Sequence, residues 1–132
     1  FLREVTGKFQ QAGIRVSIFV DPDKKMIEGA KTAGADRVEL YTERFARLYA
    51  QGDEAVILPY KEASEYARSL GLGVNAGHDL SLDNIEFYIR EIPFTDEVSI
   101  GHALISEALY LGLENTIGSY LNKIRRASQG IK

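Results

Sequence analysis

The sequence contains no cysteine, no long apolar run and no cluster of basic residues. Without cysteine the chain forms neither disulfide bonds nor thiolate metal sites, and nothing in its composition indicates secretion, so the cytoplasm is the expected compartment. No segment approaches the run of about 18 apolar residues that a membrane span needs. Lysine and arginine are adjacent only in pairs, at Lys24-Lys25 and Arg125-Arg126, and the net charge is −3, which disfavours nucleic-acid binding.

What is present is the composition of one globular domain. The 132 residues are 45% hydrophobic and 27% charged. No stretch rich in proline, glycine and serine divides them, so residues 1–132 are predicted to form a single domain. Residues 1–13 carry apolar side chains at helical spacing. The chain is therefore expected to open inside a helix that already faces a core, as a piece of a longer protein would.

The predicted order of elements is a helix followed by four rounds of strand and helix. Strands are predicted at 14–20, 36–41, 72–75 and 97–100. The first of them is almost continuously apolar, which predicts a strand buried on both faces. Asp23, Pro59 and Ser81 are predicted at the amino-terminal ends of helices. This alternation is typical of parallel β/α units and predicts an α/β fold.

Both histidines of the chain directly follow a glycine, at Gly77-His78 and Gly101-His102, and each pair comes at the end of a predicted strand. In parallel β/α proteins ligands bind at the carboxyl ends of strands, where helix N-termini offer free N–H groups to phosphate. A (β/α)8 barrel frequently binds phosphate with the loops after its last two strands. If the third and fourth strands are strands seven and eight of such a barrel, both pairs lie there. The alternative is that the glycines serve turn geometry and the histidines are surface residues.

Glu39 is a further candidate because it lies between two apolar residues in a predicted buried strand. Its carboxylate would either point into a barrel interior or form a structural ion pair. The sequence leaves both possibilities open.

Four segments taken together resemble the C-terminal half of the pyridoxine 5′-phosphate synthase family. They are "VSIFVDPD" (16–23), "GADRVELYTE" (34–43), "GLGVNAGHDLSLDN" (71–84) and "EVSIGHALISEALYLGLENTI" (97–117). The resemblance implies strands 5–8, with their helices, of a (β/α)8 TIM barrel that assembles into homo-oligomers, typically octamers. It also implies the condensation of 1-deoxy-D-xylulose 5-phosphate with 3-amino-2-oxopropyl phosphate to pyridoxine 5′-phosphate, with no redox cofactor and no metal.

The same resemblance implies roles for five residues. His78 would be the proton donor, and Glu39 would stabilise the transition state. Asp79, Gly101 and His102 would bind the aminooxopropyl phosphate, mainly through backbone N–H groups. Many relatives have glycine in place of Asp79. Because a carboxylate repels phosphate, the Asp79 side chain is expected to turn away from the ligand or to cap the next helix.

The family's remaining site residues lie on the first four barrel strands, which this sequence does not contain. The chain is therefore expected to be the C-terminal half of a longer enzyme, inactive without its N-terminal half, because four strands of a closed barrel leave two open edges. Two alternatives stay open. One is a non-catalytic half-barrel that binds phosphate or serves assembly. The other is a different phosphate-handling barrel enzyme, against which the glutamate in "VELYTE" argues.

Overall fold

The computed structural model describes residues 1–129, which form an α/β fold around one parallel sheet. The strands are β1 (Ser17–Val20), β2 (Arg37–Tyr41), β3 (Gly73–Gly77) and β4 (Glu97–Ser99). The helices are α1 (Leu2–Gln11), α2 (Lys24–Thr32), α3 (Glu43–Tyr49), α4 (Leu58–Ser69), α5 (Ile85–Glu91), α6 (His102–Leu111) and α7 (Leu113–Gln129), with a 3-10 helix at Glu54–Ile57. The predicted alternation of strands and helices is confirmed.

The sheet has the order β1-β2-β3-β4, and every neighbouring pair is parallel. Strands that follow one another in sequence are thus also neighbours in space, with helical connections between them. This is the local arrangement of successive β/α units. Among residues 1–129, β1 pairs only with β2 and β4 only with β3.

The hydrophobic core lies between the helices and one face of the sheet. Alternate residues of the two central strands, Val38, Leu40, Val74 and Ala76, are fully buried there. The helices bury larger side chains against them, including Ile27, Phe45, Tyr60, Tyr88 and Ile92. Each large apolar side chain that leaves water contributes about 1.5–3 kcal/mol, so this cluster is the main source of stability.

The other face of the sheet, which we call the open face, carries a different set of side chains. Because strand residues alternate between faces, pairing register assigns to it Phe19, Arg37, Glu39, Tyr41, Asn75, Gly77, Glu97 and Ser99. The prediction that the first strand is buried on both faces is wrong. Val20 is buried, but Phe19 on the open face is 51% exposed, because β1 is an edge strand and no described element packs over that side.

A chain of polar contacts crosses the amino-terminal end of the open face. Arg15, just before β1, donates to both carboxylate oxygens of Glu97 in β4, at 2.7 and 2.8 Å. Asn75 donates to Glu97 at 3.1 Å and accepts from Arg37 at 3.1 Å. This chain of contacts spans the full width of the four-stranded sheet. The Arg15 guanidinium lowers the pKa of Glu97.

Several predicted boundaries shift. The first strand, predicted from residue 14, begins at Ser17. The strand predicted at 72–75 runs on to Gly77, so the two residues after Asn75 belong to β3 and not to the loop. The Ser81 hydroxyl accepts from the Asp83 N–H at 3.3 Å and its carbonyl from the Ile85 N–H at 3.0 Å, as predicted for a cap, but the regular helix α5 begins only at Ile85, with Asn84 at its N-cap. The Ser81 N–H donates to the Asn84 side chain at 2.9 Å, which closes residues 81–84 into a turn.

Other predicted helix starts are confirmed. The Asp23 carboxylate accepts from the backbone N–H of Met26 at 3.0 Å and caps α2, and Pro59 lies in the first turn of α4. No helix in residues 1–129 is both long enough and apolar enough to cross a membrane.

Candidate functional site

The carboxyl ends of β2, β3 and β4 bring Glu39, Gly77 and Ser99 together on the open face. Ser99 donates to the Glu39 carboxylate at 3.3 Å. The same carboxylate lies directly over Gly77, where a Cβ would overlap it. Glycine is needed at this position because another side chain approaches the backbone, not because of its backbone angles. Glu39 forms no ion pair within residues 1–129, so its carboxylate faces the open side of the sheet without a structural cation.

His78 follows Gly77 and lies at the rim of the open face. Its imidazole packs edge to face against the ring of Tyr41, with centroids 4.7 Å apart, and Tyr41 packs in turn against Phe19 at 5.2 Å. The His78 side chain is 43% exposed. The structure therefore places the predicted proton donor next to the strand that carries Glu39, with one side of its ring still accessible to a ligand.

The backbone at His78 and Asp79 is left-handed, with φ of 84° and 59°. This region is uncommon for residues other than glycine and persists only where the surroundings impose it. Here buried side chains do so. The Thr42 hydroxyl lies 2.7 Å from the carbonyl oxygen of Gly77 and 2.6 Å from that of His78, and Asn84 donates to the Asp79 carbonyl at 3.1 Å. Three consecutive carbonyls thus have partners.

Sequence reasoning missed Thr42 and Asn84, which are 0% and 5% exposed. The available signals were weak: a threonine directly after a strand, and an asparagine directly before a helix. Both residue types have short side chains that bond to backbone groups in turns. Only the fold shows that the carbonyls they serve belong to the loop after β3.

The Asp79 side chain does not cap the next helix, contrary to one of the two expectations for it. Its Oδ2 atom lies 3.1 Å from Nδ1 of His78. Adjacent side chains point to opposite faces of an extended strand. They meet here because both residues have left the extended conformation.

Gly101 and His102 form the start of α6, directly after β4. Gly101 is the N-cap and no side chain caps this helix, so its first N–H groups are free. Both residues are exposed. Because β3 and β4 pair in register at Gly77 and Ser99, this helix start and the His78 loop leave neighbouring strands at the same end of the sheet.

Glu107 holds α6 in this place. Its carboxylate accepts from the Leu82 N–H at 3.0 Å and from the Tyr120 hydroxyl at 2.6 Å. Burial raises the pKa of Tyr120, and so does its hydrogen bond to Glu107. One carboxylate thereby ties α6 to the loop after β3 and to α7. The sequence pattern had not singled out Glu107.

The arrangement has a definite chemistry. An imidazole exchanges protons near neutral pH, a carboxylate in a partly enclosed site stabilises positive charge, and free N–H groups donate to phosphate oxygens. Within residues 1–129 no three or more histidine, cysteine or carboxylate side chains gather closely enough to hold a metal ion. The fold and the site define a parallel β/α protein whose polar groups collect at the carboxyl ends of its strands, where such proteins bind ligands.

Comparison with known proteins identifies the family within this class. The family model "Pyridoxal phosphate biosynthesis protein PdxJ" matches residues 1–126. Proteins named pyridoxine 5′-phosphate synthase from Flavobacterium johnsoniae, Christiangramia forsetii and Cytophaga hutchinsonii are 62%, 58% and 59% identical to it. The alignments cover 95%, 95% and 96% of this chain and 53% of each relative. The chain belongs to the PdxJ family, which confirms the resemblance, and it spans about half the length of the curated relatives it matches.

Proposed function

We propose that this chain forms strands 5–8, with their helices, of a (β/α)8 barrel in a pyridoxine 5′-phosphate synthase. Three features support the proposal: the family membership, the consecutive parallel order of the strands, and the polar contacts that cross the open face from Arg15 to Glu97. In a closed barrel that face would line the interior, and the outer edges of β1 and β4 would pair with the remaining strands. On this proposal residues 1–132 belong to one barrel domain, which acts in the cytoplasm.

The observation that carries the proposed activity is that the Glu39 carboxylate lies over Gly77 while the next residue, His78, packs against Tyr41 of the strand that carries Glu39. The reaction would join 1-deoxy-D-xylulose 5-phosphate to 3-amino-2-oxopropyl phosphate through imine and enol steps. Such steps need a proton donor, the role we assign to His78. They also develop positive charge, which the Glu39 carboxylate would stabilise.

The phosphate of the aminooxopropyl substrate would bind to backbone N–H groups of Asp79, Gly101 and His102. Two observations support this assignment: the uncapped start of α6, and the position of both loops at the ends of paired strands. Phosphate at a helix N-terminus gains from free N–H groups and from the helix dipole.

The proposed partners are the N-terminal half of the barrel and further copies of the whole enzyme. The outer sides of α6 and α7 support an assembled state, because they expose large apolar side chains, among them Ile105, Leu109, Tyr110, Leu113, Ile117 and Leu121. Leu109 and Tyr110 are 81% and 91% exposed. Surfaces of this kind usually mark contacts between proteins.

Complementation tests the proposal. Residues 1–132 would be co-expressed with the N-terminal half of the Flavobacterium johnsoniae relative, and formation of pyridoxine 5′-phosphate from the two substrates would be measured. We expect product from the two halves together and none from either half alone. Turnover by residues 1–132 alone would refute the half-barrel assignment. Phosphate binding without turnover in the reassembled protein would instead favour the non-catalytic module.

Two substitutions test the residue roles in the reassembled enzyme. His78→Asn should lower kcat about 10²–10⁴-fold, the usual contribution of a general acid. Glu39→Gln keeps size and removes charge, and should lower kcat about 10²–10³-fold if charge stabilisation is its role. Glu62→Gln on the exposed side of α4 is the matched control and should leave kcat unchanged. A Glu39→Gln variant as active as this control would contradict the role given to Glu39.

A further inference from the structure

His78 and Asp79 form a side-chain pair that lies apart from the phosphate role given to the Asp79 backbone. We propose that the Asp79 carboxylate is a positioning residue, which accepts the Nδ1–H of His78 and leaves Nε2 as the nitrogen that exchanges a proton with the ligand. The 3.1 Å separation of Oδ2 and Nδ1 carries this inference. It rests on the proposed function of His78 as proton donor.

The pair is built by the loop and is not a chance contact of two surface side chains. Both residues have left-handed backbone, which turns their side chains toward the same side. Thr42 and Asn84, which hold that backbone, are themselves buried. The ring of Tyr41 packs against the imidazole as well. The imidazole therefore has an aromatic contact with Tyr41 and a close approach to the Asp79 carboxylate, each from a separate part of its surroundings.

The tautomer matters because a histidine can use only one nitrogen toward a given ligand. In the charged ring both nitrogens carry hydrogen. On donation the Nε2–H bond breaks, its electron pair stays on Nε2, and the proton passes to the ligand. The neutral ring that remains keeps Nδ1–H, which is the form that a carboxylate beside Nδ1 stabilises. Without the carboxylate the neutral ring could hold its hydrogen on Nε2 and could not take a proton back there.

The test is NMR of residues 1–132 labelled with ¹⁵N-histidine, which needs no substrate. Long-range ¹H–¹⁵N spectra at alkaline pH, where imidazole is neutral, report which ring nitrogen carries hydrogen. We expect the Nδ1–H form to predominate at His78, and Asp79→Ala and Asp79→Gly to shift it to Nε2–H. Asp79→Asn should retain most of the Nδ1–H form because its amide oxygen also accepts. The other histidine, His102, serves as the internal reference and should not change.

Two results would overturn the inference: a predominant Nε2–H form at His78 in the unaltered chain, or the same tautomer ratio with and without the Asp79 carboxylate. Asp79→Gly guards against misfolding, because glycine adopts a φ of 59° without strain. The outcome is independent of turnover. If Asp79 sets the tautomer but the reassembled barrel makes no product, the proposed function fails and the positioning role stands.

Discussion

The approach of the Glu39 carboxylate to Gly77 can be tested by adding one methyl group. In Gly77→Ala the new Cβ would overlap that carboxylate and would lie 3.2 Å from Cβ of Ser99. The carboxylate is the end of a flexible side chain, so the protein can relieve the overlap by moving it. Moving it would cost Glu39 its hydrogen bond from Ser99.

Two opposing terms set the size of the effect. Overpacking of this kind costs about 1–3 kcal/mol, and a movable side chain places Gly77→Ala near the lower end of that range. Alanine in a strand gains about 0.5–1 kcal/mol over glycine through the unfolded chain. With about 1–2 kcal/mol for the overlap, less this gain, we expect Gly77→Ala to lower the free energy of unfolding by no more than about 1.5 kcal/mol. In a Glu39→Ala background the overlap is gone, so the same change should be neutral or stabilising.

A double-mutant cycle in urea measures this difference. The coupling between positions 39 and 77 should be about 1–2 kcal/mol, within the range of residues in direct contact. Gly73→Ala is the matched control in the same strand, because its Cβ would meet Cγ of Arg37 at 2.7 Å and not Glu39. Its effect should be the same with and without Glu39. Equal costs of Gly77→Ala in both backgrounds would refute the proposed contact.

Two further predictions concern the loop and the sheet edge. Thr42→Val removes the hydroxyl that lies within hydrogen-bond distance of the Gly77 and His78 carbonyls and donates to one of them at a time. We expect the free energy of unfolding in urea to fall by about 1–2 kcal/mol, and by less for Thr42→Ser. An unchanged value for the valine variant would contradict the role of the hydroxyl. Arg15 lowers the pKa of Glu97 in the folded protein. The Arg15–Glu97 pair therefore stabilises the fold fully above the ordinary glutamate pKa of 4.5, and this contribution is lost as the pH falls through the lowered pKa of the folded state. Glu97→Gln should therefore flatten the fall in melting temperature below pH 4.5, and an equally steep fall in that variant would count against the pair.

Much of the fold could be predicted because it depends on local patterns. Apolar residues at helical spacing, β-branched runs and glycines at element ends produced the observed order of helices and strands. The incorrect predictions concern positions where contacts between distant elements, and not the local pattern, decide the structure. The first strand looks buried in sequence because apolar residues fill it, yet Phe19 is half exposed because β1 is an edge strand and no described element packs over that face. The Ser81 hydroxyl makes a cap-type contact with the Asp83 N–H, yet the regular helix starts only after the turn that ends at Asn84.

Some residues of the candidate site could also be predicted from the sequence, and others could not. The two glycine–histidine pairs could be located from sequence, because the end of a strand in a β/α unit is a place where ligands bind. The residues that shape the site could not. Thr42 is 35 positions from Gly77 and Ser99 is 60 positions from Glu39, and their contacts exist only after the strands pair.

By itself the sequence determined the α/β class, the family and the positions of Glu39, His78 and the start of α6. These follow from local periodicity and from motifs that occupy few consecutive residues. Only the tertiary structure decided that Glu39 lies over Gly77, that buried side chains hold the His78 loop in a left-handed turn, and that Asp79 faces the imidazole. Those contacts depend on strand register and on the conformation of the loop after β3, which arise from the packing of the whole chain and not from any segment of it.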